Sequence, residues 1–223
     1  MKRGHWQILL AAALFLLALG LTLYPVVSNW YIGRHQSRIQ TEYREVLEQT
    51  DSAEIESIRE SAVAYNKTIT PGAAEEAYSQ ASIRLAAEDY VNQLNVSGSG
   101  IMGYVEIPKI GVDLPIYHGT GADSLDRGTG HLLGSSLPVG GESTHTIITG
   151  HSGMASQKMF TDLEQLREGD IFYLHVLDET LTYEVREIHT VLPHDTTYLG
   201  IEPGEDLCTL VTCTPTGVNT HRL

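Results

Sequence analysis

Residues Ile8–Val27 read ILLAAALFLLALGLTLYPVV and carry no charged side chain. Twenty residues at about 1.5 Å each make a helix about 30 Å long, the thickness of a bilayer's hydrocarbon core. A helix apolar on every side must be buried on every side, by protein or by lipid. Its place at the N-terminus, close behind Lys2 and Arg3, points to lipid. No A-x-A-like cleavage site follows; the flank is Ser28-Asn29-Trp30-Tyr31, so the segment reads as an uncleaved signal anchor. Trp6 and Trp30-Tyr31 stand where interfacial aromatics belong. Arg34 and Arg38 lie just past the span, yet a long downstream domain translocates largely regardless of such charges. The expected arrangement is a single-pass anchor over residues 1–34 in the cell membrane, with the remainder outside the cytoplasm.

The chain has 223 residues and a net charge of −14. That leaves room for one folded domain with accessory segments. A nucleic-acid binder needs cations to neutralise phosphates, so this balance excludes such a partner. Cys208 and Cys213 are the only cysteines, too few for a disulfide scaffold or a four-cysteine zinc site. No histidine pair has H-x-x-x-H spacing with a carboxylate nearby, so neither a metal nor another cofactor is expected.

From Gln36 to about Lys67 the apolar residues Ile39, Tyr43, Val46, Ile55, Ile58, Ala62 and Tyr65 recur every three or four positions, which predicts a helix. Thr70-Pro71-Gly72 breaks it. A second helical run extends from Ala73 to about Leu94, with Ala77, Ile83, Ala86, Tyr90 and Leu94 on one side. Residues 35–99 thus read as a helical lead-in packing on the next domain. Val96 to Gly100 is a flexible joint. Over residues 100–223 the period changes. Tyr104–Ile107, Leu114–Tyr117, Thr144–Thr149, Ile171–Val176, Leu181–Val191 and Cys208–Cys213 are short β-branched runs separated by Gly, Pro and Asp, the pattern of a barrel or sandwich.

Cys213 ends its apolar run just before Thr214-Pro215, where a proline stops the ladder. A thiol at a strand end facing a loop can be reached by substrate. Cys208 lies an odd number of positions earlier, so the two side chains project to opposite faces of the strand. One cysteine is expected in the core and one accessible, with no disulfide between them. A catalytic thiol needs a partner to become thiolate at neutral pH, and histidine is the usual one. His151 follows the run Ile147-Ile148-Thr149-Gly150 and precedes Ser152-Gly153, again a strand end. Arg222 returns after the turn-like stretch Thr214–Thr220, placed to offer fixed donors to a developing oxyanion. His118, Thr212 and Thr214 are candidate substrate-binding residues. His131 and His145 read as core or loop residues, and His175 and His189 as structural or exposed.

Together these residues form a recognisable pattern. Thr209-Leu210-Val211-Thr212-Cys213-Thr214-Pro215 with Asn219-Thr220-His221-Arg222-Leu223 resembles the cysteine and arginine signature of sortases. Thr149-Gly150-His151-Ser152-Gly153 is similar to their histidine motif. Gly103–Ile110, Leu114–Thr120, Gly130–Gly141 and Leu192-Pro193 resemble class C, the pilin-polymerising group. The resemblance covers about residues 90–223. It implies a mainly β fold, a closed sortase-type barrel behind the N-terminal helices and the transmembrane helix.

It also implies a membrane-anchored cysteine transpeptidase of a Gram-positive cell surface. Cys213 would cleave an LPxTG-like signal through a thioester, with His151 as acid and base and Arg222 at the oxyanion. The partners would be LPxTG-bearing pilin or surface proteins, and the acceptor a pilin lysine. Wall anchoring in place of pilus polymerisation, or an inactive sortase-fold scaffold tethered to the membrane, are the alternatives. Two departures stand out. Class C enzymes often plug the site with an Asp-Pro-aromatic lid, and no Asp-Pro occurs in this chain. Family members continue the arginine-bearing strand beyond the position of Leu223, so a truncated last strand is expected.

Overall fold

A computed structural model describes residues 2–70, 72–79, 88–154 and 157–223. Helix α1 (Lys2–Gln49) runs unbroken from the apolar segment into the lead-in. Its stretch His5–Tyr24 is long and apolar enough to cross a membrane, and its side chains are exposed. The boundary drawn at residue 34 falls inside this helix. The side chains of Trp30 and Tyr31 lie outside the described residues.

The single helix predicted for residues 36–67 is two: α1 stops at Gln49 and α2 spans Ser52–Asn66. Asp51 makes the break by capping α2, its carboxylate accepting from Ala53 N at 2.7 Å. The second predicted run appears as α3 (Ala73–Ser79) and the short α4 (Glu88–Val91). Ile83 and Ala86, like Pro71, lie outside the described residues.

The strands are β1 (Ile101–Ile107), β2 (Val112–His118), β3 (Thr129–His131), β4 (Thr144–Thr149), β5 (Ile171–Val176), β6 (Glu179–Glu184), β7 (Asp206–Val211), β8 (Cys213–Thr214) and β9 (His221–Arg222). A single turn, α5 (Ala122–Leu125), precedes β3. The main sheet has the order β6-β5-β1-β2-β3-β4-β7, and β8 pairs with β9. Its two end strands, β6 and β7, meet through the Tyr183 hydroxyl, which donates to Asp206 at 2.8 Å. Further along, Val191 and Arg222 exchange both backbone hydrogen bonds, each 2.8 Å. The sheet is thereby a nearly closed barrel.

Val105, Ile107, Ile116, Ile148, Phe172 and Leu174 fill its interior. β3 has no counterpart among the predicted strands, since three residues are too few for alternation to register. The predicted strand Leu181–Val191 ends early, at Glu184. Its partner β5 begins at Ile171, so past Val185 the chain has no rung to join until it reaches Arg222.

Contacts spread along the lead-in fasten it to the barrel. Gln40 of α1 donates to Asp113, and the Tyr43 hydroxyl donates to Met102 O at 3.2 Å. Asn66 at the end of α2 makes a two-bond clasp with the Leu137 peptide, at 2.7 and 3.2 Å. Helix α3 sets Ala74, Ala77 and Tyr78 against Leu132, Ile147, Leu199 and Val211 on the barrel's outer wall.

Candidate active site

β4 and β7 run parallel, with Ile147 opposite Thr209 and Thr149 opposite Val211. Ile148 and Leu210 point into the core, while Ile147 and Val211 point outward beneath α3. Alternation puts Thr149 on that same outer face. Cys208 belongs to the inner set and packs against the core. Burial pushes its thiol far above the ordinary range. Cys213, on the other parity, continues the outer row into β8. Both cysteines are free.

β8 and β9 place the thiol beside the arginine. Cys213 pairs directly with Arg222 and Thr214 with His221. Thr212 and Leu223 exchange both backbone bonds at 2.9 Å, which makes Cys213–Arg222 the intervening non-hydrogen-bonded pair. In such a pair Cα atoms are about 4.5 Å apart and the side chains share a face. The guanidinium Nη1 donates to His221 O at 3.1 Å.

His151 is held against this strand by three bonds around it. Gly150 N donates to Val211 O at 2.9 Å, the Thr212 hydroxyl donates to Gly150 O at 2.7 Å, and the Ser152 hydroxyl donates to Cys213 O at 2.6 Å. Gly150 cannot carry a side chain here, because a Cβ would lie 2.7 Å from the Phe160 ring. The imidazole is exposed enough to meet substrate, and its Nε2 lies 3.8 Å from an Asp126 carboxylate oxygen. At that distance in solvent the pair is a weak orienting contact.

The remaining predicted residues lie as follows. Thr212 is buried, with its hydroxyl committed to Gly150 O. Thr214 is half-buried and precedes a cis peptide to Pro215. His118 sits at the joint between lead-in and barrel, Nδ1 on Gly100 O at 2.9 Å and Nε2 on Gln93 O at 2.7 Å. Both its ring nitrogens are engaged there, and among the described residues it has no hydrogen bond to Cys213, His151 or Arg222. His131 is fully buried between the Tyr90 hydroxyl and Ser136 O. Among the described residues no cluster of His, Cys, Asp and Glu could hold a metal ion.

Three residues at the site were not foreseen. Ser152 stands within the quoted histidine motif, and its hydroxyl was the available signal. Asp126 lies in a loop with nothing local to mark it. Tyr78 belongs to α3, whose apolar spacing reads as ordinary helix packing. Burial raises its phenol; the Arg222 guanidinium beside it opposes that rise, and Cys213 adds to it. Tyr78 therefore lies close to Arg222 and Cys213. A cavity of about 750 Å³ opens beside it, lined by Val191, Leu199, Val211 and Arg222 among others.

A family model for the sortase domain matches residues 105–223. The sortase C of Streptococcus pneumoniae, whose crystal structure addresses catalysis and pilin substrate specificity, is 43% identical with a TM-score of 0.76; the match covers 83% of this chain and 92% of that one. Sortase C-1 of Actinomyces oris is also 43% identical, with a TM-score of 0.70 over 76% of this chain and 94% of that one. Sortase A of Streptococcus agalactiae serotype III (strain NEM316) is 25% identical over 209 residues, 92% of this chain and 77% of its own length.

Proposed function

This chain belongs to the sortase family of cysteine transpeptidases, and we propose that it cleaves an LPxTG-like sorting signal and passes the acyl group to a pilin lysine. The observation that carries the reading is the cross-strand pair Cys213–Arg222, with His151 pinned to the same strand end. The Cys213 thiolate attacks the threonine carbonyl carbon, and Arg222 donates to the oxyanion that forms. The bond to glycine breaks, and His151 hands its proton to the leaving amine. A thioester remains on Cys213. The incoming lysine amine attacks it, His151 takes the amine's proton, the C–S bond breaks and the thiolate is restored.

The pilin acceptor rests on likeness to class C enzymes, among them the pneumococcal one with its pilin specificity. The membrane reading rests on His5–Tyr24, which would hold the barrel on the outer surface. The closeness of Tyr78 to Arg222 and Cys213 is the observation that favours the scaffold alternative.

The test uses the full chain in detergent micelles with an LPxTG peptide and either hydroxylamine or a pilin lysine. An acyl adduct on Cys213 and an amine-dependent product are expected. A folded chain that forms neither overturns the proposal. A product with a wall-type amine but none with pilin lysine replaces polymerisation with wall anchoring.

A further inference from the structure

Among the described residues, two buried side-chain polar atoms have no hydrogen-bond partner: the Tyr104 hydroxyl and the Thr149 Oγ1. The Tyr104 hydroxyl belongs to a tyrosine-rich cluster with Tyr43 and Tyr117, far along the sheet from the thiol. Thr149 is different. It is the last residue of β4, two before His151, and it stands opposite Val211, which is two before Cys213. Buried hydroxyls are almost always paired, and one that is not calls for a reason.

Its surroundings supply the reason. Thr149 shares the outer face of β4 with Ile147, and Ile147 and Val211 lie under Ala74, Ala77 and Tyr78 of α3. The side chain therefore lies on the same face as the Ile147–Val211 patch that α3 covers. Leu132, Ile147, Leu199 and Val211 make an apolar patch on that face. No group of α3 bonds this hydroxyl, so the resting fold leaves it unsatisfied. An extended peptide can satisfy it, because every residue offers an amide and a carbonyl.

We propose that Thr149 is a substrate-contacting residue, whose hydroxyl bonds a main-chain group of the sorting peptide once α3 gives up the patch. The proposal rests on the transpeptidase reading above. Strand geometry fixes the place: two residues along a strand is about 6.6 Å. Thr149 thus reaches the peptide about two residues from the scissile bond, beside the apolar pair Ile147 and Val211. The bond adds a polar requirement to an apolar patch, and rejects peptides whose backbone cannot present that group.

The test compares Thr149→Val, which keeps the shape and deletes the hydroxyl, with Thr149→Ser, which keeps the hydroxyl. Both are made in the full chain and in its Tyr78→Ala variant, in micelles, with an LPxTG peptide and hydroxylamine. Thr149→Val is expected to raise KM about tenfold with kcat changed less than twofold, and Thr149→Ser to stay within threefold of the parent. Alkylation of Cys213 should proceed at the parent rate in both. The Tm of Thr149→Val should equal or exceed the parent's, since no bond of the resting fold is lost. A Thr149→Val enzyme with parental KM overturns the proposal while the transpeptidase reading stands. A lowered Tm with loss of activity makes the residue structural and also overturns it. If neither parent forms an acyl-enzyme, the transpeptidase reading falls and takes this one with it.

Discussion

The Ser152 hydroxyl donates to the Cys213 carbonyl at 2.6 Å, joining the residue after His151 to the peptide of the proposed nucleophile. With Thr212 on Gly150 O, it makes the spacing of imidazole and thiol a property of two strand ends. Replacing Ser152 by Ala removes one bond worth about 1 kcal/mol. The expected outcome is a fall in kcat of about tenfold with little change in KM, because substrate contacts are untouched while the reacting pair loosens. Steady-state kinetics with an LPxTG peptide, alongside a Tm that drops by a few degrees at most, check it.

The two thiols should separate cleanly in reactivity. Burial holds the Cys208 thiol in its protonated form, and the thiolate is the reactive species. Iodoacetamide on the native chain should label Cys213 and leave Cys208 until denaturant is added, as read by peptide mass mapping. Cys213→Ala should abolish transfer and leave the Tm within about 1 °C, since this half-buried side chain is no part of the core.

Tyr78 lies against Arg222 and Cys213, so Tyr78→Ala should unload the site. Alkylation of Cys213 and the initial transfer rate are both expected to rise several-fold. The Tm should fall slightly, as one half-buried ring leaves the α3 contact. An unchanged labelling rate would show that α3 does not limit access.

Burial pushes the His131 imidazole down to about 4 in the fold, whereas it titrates near 6.5 in an unfolded chain. Between those values the unfolded chain binds a proton that the fold refuses. His131 therefore costs no stability above about pH 6.5, and its penalty grows as pH falls towards 4, by about 1.4 kcal/mol per unit for one proton. His145 is pushed down by burial as well and adds to the slope. Denaturant unfolding from pH 7 to 4 should show this loss, and His131→Asn should be less stable at pH 7 yet less steep below it.

Much of this organisation is legible in the chain. The parity of Cys208 and Cys213 sets the two thiols on opposite faces, and the register of β7 against β4 realises it, with Cys208 against the core. Local signals worked where one residue type does one local job: Pro215 ending a strand, or the apolar N-terminal run forming a helix. The break at Asp51 escaped because helical periodicity continues across it; only the cap on Ala53 N reveals it. β3 escaped because it is three residues long. Tyr78 and Asp126 could not be read at all. Their proximity to the reactive residues arises from packing between distant segments, and no spacing along the chain encodes it.

Arg222 exchanges two backbone bonds with Val191 while its side chain shares a face with Cys213. The rung that zips the barrel's seam and the proposed oxyanion donor are the same residue. Local openings in a fold start where few bonds hold an edge, and this seam is such an edge. An unzipped seam withdraws the guanidinium together with the strand, leaving the thiol without its proposed donor. On the proposed mechanism competence is self-auditing: a barrel that has not finished folding would be a poor catalyst of transfer and of stray hydrolysis alike.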